Sequence, residues 1–226
     1  MAGIPAGVLA GFKDVLAIDS SVLRLHDLLE KPFPASRTNH TKAAAKLHTV
    51  MSVVDGSPRR VRLTNARIND QTPWRRIGTW VAGSLLLFDL GYYSFRLFDL
   101  IDKNGGAFIS RLKTNANLLI VGQNRKWRGR TVSVVGRRLK EVLPLLHRKV
   151  LDVMVEVSFE RRKYRGVAAS STRTLRLVAV LDAETGEYHC YLTNIPPDRL
   201  AAEDLAKCYA LRWQVELLFK SMKFHC

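Results

Sequence analysis

The first long apolar stretch is "VLAIDSSVLRL" (Val15–Leu25), aliphatic and β-branched residues interrupted by one acid and two serines. Such a run predicts a strand. Residues 33–45 are polar and contain Pro34, which reads as a loop. Residues 46–68, "KLHTVMSVVDGSPRRVRLTNARI", hold two runs of strand character around Asp55-Gly56-Ser57-Pro58 and predict a hairpin. A three-stranded start to a sheet follows. In residues 71–83, Thr72 can cap and Pro73 suits a first helical position, so a short helix is expected. "SLLLFDLGYYSF" (84–95) is a continuous apolar run ended by Asp89 and Gly91, the look of a parallel strand buried on both faces. Residues 94–105 have helical spacing and a glycine stop, and 106–115 read as another strand. The order β-β-β-α-β-α-β is an α/β pattern.

From residue 116 to 194 the character changes. Strand-like runs at 131–135, 150–160, 175–182 and 187–194 are punctuated by Gly129, Gly136, Gly166 and Gly186. Residues 161–174 form a basic hairpin or loop. This section reads as a β-rich insertion rather than a second autonomous domain, dividing the chain into a first core part (1–115), the insertion (116–194) and a closing helix (195–226). Asp198 is the expected N-cap of that helix, and no Gly or Pro interrupts residues 199–223.

Composition changes the picture through charge. The 226 residues suffice for one large domain or a domain with an insertion. Lys and Arg number 36 against 20 acids, a net charge of +16, which favours a polyanionic partner, most simply nucleic acid. A membrane is a poor alternative: the longest apolar run starts at Trp80 and stops at Asp89, far short of the roughly 20 residues of a span. The N-terminus lacks a basic n-region and a long apolar core, so no signal peptide is expected. Cys190, Cys208 and Cys226 are widely spaced, with no CxxC; they fit a reduced cytoplasm and offer no paired metal ligands.

Candidate chemistry lies at three places. On a helical wheel Tyr209, Arg212, Glu216 and Lys223 share an arc of about 60°, beside a core arc of Leu211, Val215, Leu218 and Met222. Taken alone, this stripe is a solvated face with an Arg212–Glu216 pair. Asp19 and Asp89 weigh against that reading. Each is an acid in an apolar strand, where an ionised carboxylate needs a partner. Either each caps a strand end, or both point to one place and share a divalent ion such as Mg²⁺ or Mn²⁺. Glu216 is then the third carboxylate. Two such ions would activate water or a 3′-hydroxyl and stabilise the leaving oxygen. Arg212 and Lys223 would grip phosphates, and Tyr209 would stack on a base or donate to a phosphate.

These three segments resemble the DDE transposases of bacterial insertion sequences, specifically the IS-four family. "LAIDSSVLRL" is similar to the segment of the family's first catalytic Asp, "LLLFDLGYYS" to that of the second, and "YALRWQVELLFKSMK" to its Y-(2)-R-(3)-E-(6)-K signature; "FISRLKTN" also matches. The resemblance implies an RNase H-like core with a β-strand insertion between Asp89 and Glu216. It implies Asp19, Asp89 and Glu216 as the catalytic and metal-binding triad with two Mg²⁺ or Mn²⁺ ions. It also implies Tyr209, Arg212 and Lys223 at the transposon end, and a homodimer on paired ends. The expected partners are terminal inverted repeats and target DNA. Trp127 lies in the insertion, where the family places aromatics against flipped bases; a core tryptophan is the alternative. Only 18 residues precede Asp19 and three follow Lys223, so both helical flanks of the family are expected to be missing. The expectation is thus a transposase catalytic core; the rivals are a DNA-binding remnant without activity and another RNase H-like nuclease.

Overall fold

One mixed sheet organises residues 6–36, 41–125, 133–161 and 169–224, which this computed structural model describes. In chain order its strands are β1 (Val15–Leu25), β2 (Ala43–Ser52), β3 (Pro58–Asn65), β4 (Leu85–Phe88), β5 (Ala107–Arg111), β6 (Leu119–Gln123), β7 (Val150–Glu160), β8 (Ser170–Leu181) and β9 (Tyr188–Thr193). In space they run β3-β2-β1-β4-β5-β9-β8-β7-β6. The helices are α1 (Ala6–Leu9), α2 (Phe95–Lys103), α3 (Leu139–Val142), α4 (Ala202–Ala210) and α5 (Trp213–Phe224).

The first three strands form an antiparallel meander, as the turn at Asp55-Gly56 predicts. β4 then enters parallel to β1, with Ile18 beside Phe88, and β5 parallel to β4. Every side chain of β4 is buried, as a strand covered on both faces requires. Alternation sorts the two faces. Leu16, Ile18, Leu86 and Phe88 pack toward α2 with Phe98 and Phe108, whose rings stack at 4.3 Å. Val15, Leu85 and Leu87 pack toward α4 with Leu205 and Tyr209, and Ala17 packs toward α5 with Val215 and Phe219. Ser94 caps α2, accepting from the Leu97 N–H, and Gly105 ends it at φ +73°. Gly106 has no room for a side chain: a Cβ would sit 2.9 Å from Ile101 Cγ2.

The strands after β5 extend the same sheet. β9 pairs antiparallel with β5, and β8, β7 and β6 add outward. A buried ion pair ties them to the closing helices. Arg176 on β8 donates to both carboxylate oxygens of Asp152 on β7, at 2.9 and 2.6 Å, and to the carbonyls of Ile195 and Leu200, at 3.2 and 2.7 Å. The segment leading into α4 is therefore clamped to β7 and β8.

Four expectations need correction. Residues 71–83 form two 3₁₀ turns, Thr72–Trp74 and Thr79–Val81, because extended backbone at Gly78 separates them. Residues 133–135 lie outside any strand, while β6 takes the unexpected "LIVGQ". Asp198 does not cap: α4 starts after Ala201, since Arg199 and Leu200 first turn back to the Pro196 carbonyl and Leu200 buries itself. The closing helix is not continuous either. Around residues 211–212 the hydrogen bonds tighten to i→i−3, Arg212 N to Tyr209 O at 3.0 Å and Val215 N to Arg212 O at 3.3 Å. The break lets α4 and α5 serve two different core clusters. It also moves Phe219 into the core beside Val215, with Leu211 and Leu218 only partly covered.

Replacing Arg176 by Met strands the Asp152 carboxylate in the interior. It should cost about 3–5 kcal/mol, read as a lower urea midpoint. The double change Arg176→Met/Asp152→Leu should recover much of that loss. A single variant as stable as the wild type would show that the clamp carries nothing.

Candidate active site

The two-residue period of the strands aims the candidate carboxylates. Asp19 follows Ala17 on β1 and Asp89 follows Leu87 at the end of β4, so both lie on the face that α4 and α5 cover. Neighbouring strands stand about 4.8 Å apart. The pairing of Ile18 with Phe88 therefore sets the two acids side by side where the parallel β1–β4 ladder ends, Asp19 within β1 and Asp89 just past β4.

From above, α5 brings Glu216, and the turn just before it brings Arg212. The Arg212 guanidinium is buried, with Nη1 2.6 Å from Glu216 Oε1 and 4.0 Å from Asp19 Oδ2. The 2.6 Å contact is not an aligned hydrogen bond, and Nε and Nη1 are left without a hydrogen-bond partner among the described residues. The Ser20 N–H donates to Asp19 Oδ1 at 2.7 Å, which leaves Oδ2 facing the guanidinium. Burial pushes the Asp19 carboxyl up to about 6; the Ser20 N–H and Arg212 oppose the rise, and the charges of Asp89 and Glu216 add to it. The sequence-predicted triad is thus brought together electrostatically, around a cation supplied by the protein itself. Among the described residues no three His, Cys, Asp or Glu side chains gather closely enough to hold one ion.

Tyr209 is buried, and its hydroxyl donates to the Phe88 carbonyl at 3.1 Å. It pins the end of β4 beside Asp89, and its ring is not open to a base in this structure. The aromatic open to solvent here is Trp213, 55% exposed, with Arg212 Cζ and Lys220 Nζ each 5.9 Å from its ring centre. Lys223 falls within α5, but its side chain lies outside the described residues, as does all of Trp127.

A supporting network behind Asp19 has no sequence signature. Ser20 points to the opposite face and donates to Asp70 Oδ1 at 2.8 Å. Lys46 Nζ pairs with the same oxygen at 3.1 Å and donates to the Ile68 carbonyl at 2.9 Å. A Cβ on Gly91 would stand 3.4 Å from Asp70 Oδ2, so the Asp89-Leu90-Gly91 turn passes close by. Gln71 Nε2 donates to the Gly91 and Tyr93 carbonyls at 3.3 and 3.2 Å. Residues 70 and 71 therefore hold the turn of the second acid against the strand of the first. Only spacing could have signalled them, and Asp70 stands 50 positions from Ser20 in an ordinary polar loop.

Asp19 and Asp89 thus stand on adjacent parallel strands under Arg212 and Glu216. Comparison with known proteins gives the family. The family described as "Transposase DDE domain" matches residues 10–226, and the chain belongs to that family. It is 23% identical over 242 residues to the transposase for insertion sequence element IS231F of Bacillus thuringiensis subsp. israelensis, covering 96% of this chain and 50% of that protein. It is 23% identical to the transposase for insertion sequence element IS1151 of Clostridium perfringens, covering 94% and 50%. A putative transposase, y4zB of Sinorhizobium fredii, is 27% identical, covering 97% and 57%. The chain spans about half the length of the curated relatives it matches most strongly. Among the described residues no helix is long and apolar enough to cross a membrane.

The raised Asp19 carboxyl has a pH consequence. Its folded value of about 6 exceeds the ordinary 3.8, so the folded state holds its proton more tightly than the unfolded chain. The stability this gives is complete below about 3.8 and is lost as pH rises through about 6. Carbon-detected NMR of the metal-free protein should find Asp19 titrating near 6, higher in Arg212→Gln and lower in Glu216→Gln. An Asp19 titrating at 3.8 would remove the crowding argument.

Proposed function

We propose that this chain is the catalytic domain of an insertion-sequence transposase of the IS-four family, cleaving and joining DNA strands at transposon ends. The carrying observation is the convergence of Asp19, Asp89 and Glu216 on the Arg212 guanidinium. The order Tyr209, Arg212, Glu216, Lys223 supports the family assignment. The antiparallel meander followed by parallel β1, β4 and β5, with α2 between β4 and β5, supports an RNase H-like core.

The donor set fits Mg²⁺ or Mn²⁺. Its groups are carboxylate oxygens, and a cation already stands among them. Asp19, Asp89 and Glu216 would hold the ions, which when bound supply Lewis-acid stabilisation of charge on the reacting phosphate. The chain's own residues do the rest. The Ser20 N–H orients the Asp19 carboxylate, and the Tyr209 hydroxyl fixes the end of β4 that leads into Asp89. Arg212 keeps Glu216 over the strand ends and, on release from it, has a guanidinium suited to a phosphate. Asp19 must lose its proton before it can serve as a ligand, so ion binding below about pH 6 releases a proton. Lys223 is a further phosphate contact on this reading. Tyr209 acts through position, and Trp213, with Trp127 in the insertion, offers a surface for a base. DNA ends and target DNA are the partners, with two copies of the chain holding a pair of ends.

The test is nicking of a labelled DNA end with Mg²⁺ or Mn²⁺. Asp19→Ala, Asp89→Ala and Glu216→Ala should each lower the rate by about a thousandfold or more, the several kcal/mol such sites contribute. Nicking retained in all three would reject the assignment. Salt-sensitive DNA binding by the wild type with no nicking would make the chain a binding remnant.

A further inference from the structure

On the opposite face of the sheet, beside the turn that carries Asp89, a cavity of about 630 Å³ opens between the 71–76 segment and the start of α2. Arg75, Arg76 and Arg96 line it together with Gln71, Ser94 and Trp74, and no carboxylate of the described residues lines it. The three arginines are exposed, and among the described residues none of their side chains makes an ion pair or hydrogen bond. That sets them apart from Arg59, Arg173, Arg176 and Arg212, each of which meets a carboxylate. Three unpaired guanidiniums in one concavity repel one another unless an anion joins them. Ser94 caps α2 here, so the positive end of that helix adds to the field.

The surroundings say which anion. Gln71 belongs both to the cavity wall and to the brace on the Asp89 turn, through the Gly91 and Tyr93 carbonyls. The cavity therefore adjoins the carboxyl edge of β4, with the carboxylates on one side of that edge and the arginines on the other. Its outer border continues the charge: Arg62 lies over the Trp74 ring at 5.4 Å, and Arg60 over Trp80 at 4.7 Å. The nearby acid Asp70 is already held by Ser20 and Lys46. A single phosphate would use little of so wide and open a surface. A chain of phosphates running past the strand ends would use all of it.

We propose that the Arg75–Arg76–Arg96 cavity is a phosphate-backbone site for the duplex DNA flanking the bond at the carboxylate centre. The inference rests on the transposase reading and adds a location and a ligand class that the carboxylates do not supply. The arginines read no sequence; they set the register of the duplex at the site.

The experiment is fluorescence anisotropy of a fluorescein-labelled duplex with the whole chain over a salt series. Arg75→Gln/Arg76→Gln/Arg96→Gln should flatten the slope of log affinity against log salt by about two to three, at about 0.9 for each phosphate no longer neutralised. Arg96→Gln alone should flatten it by about one. The control Arg137→Gln/Arg138→Gln/Lys140→Gln removes the same charge near α3, at the other end of the sheet, and should change the slope much less. A wild-type slope in the triple cavity variant, or equal flattening in the control, overturns the site while leaving the transposase reading in place. A wild-type chain that binds no duplex at all overturns both.

Discussion

A carboxylate buried in a sheet beside other acids is costly to ionise unless a cation meets it. That electrostatic constraint organises this molecule. The pairing of β1 with β4 fixes Asp19 and Asp89 as neighbours; burial raises the cost of ionising Asp19, and the charges of Asp89 and Glu216 add to it. Arg212 neutralises them from above, at the cost of burying a guanidinium whose Nε and Nη1 have no hydrogen-bond partner among the described residues. A fold stabilised for its own sake would have little use for such a cluster, since apolar residues pack there at least as well. Strained electrostatics of this kind are a mark of functional sites.

Much of the remaining architecture delivers that arginine. Strands β8, β7 and β6 add to β5 through β9, and Arg176 on β8 clamps them to the residues that precede α4. α4 seats Tyr209 against the Phe88 carbonyl, next to Asp89. The tightened turn after Ala210 redirects the chain so that Val215 and Phe219 pack over Ala17 and Met51. With both helices anchored, Arg212 and Glu216 have few places to go but over the strand ends. Strands β7 and β8 thus support the helices above the carboxylates through a buried ion pair.

What can be seen in the sequence follows from how locally each feature is encoded. The bounds of β1 and β7 match their apolar runs, and β4 coincides with the apolar residues before Asp89, because burial writes itself into consecutive residues. Asp19 and Asp89 stand out as acids inside such runs. The break between α4 and α5 leaves no trace, since no Gly or Pro marks it and tertiary packing makes it. β6 escapes notice because its five residues include Gly122 and only partly bury. Asp70, Lys46 and the arginine cavity come from segments distant in sequence, and each looks like ordinary polar surface until the sheet assembles. Family resemblance points to Asp19, Asp89 and Glu216; the geometry adds what surrounds them, including a buried Tyr209 bonded to the Phe88 carbonyl.

On the proposed function, Arg212 occupies, beside Asp19 and Glu216, the place that divalent cations would take. Anomalous diffraction from crystals soaked in Mn²⁺ tests this most directly. The account predicts a manganese peak bounded by Asp19, Asp89 and Glu216, with the guanidinium displaced from its present 2.6 Å contact with Glu216. A site with no peak at saturating Mn²⁺, and Arg212 still seated on Glu216, would contradict it.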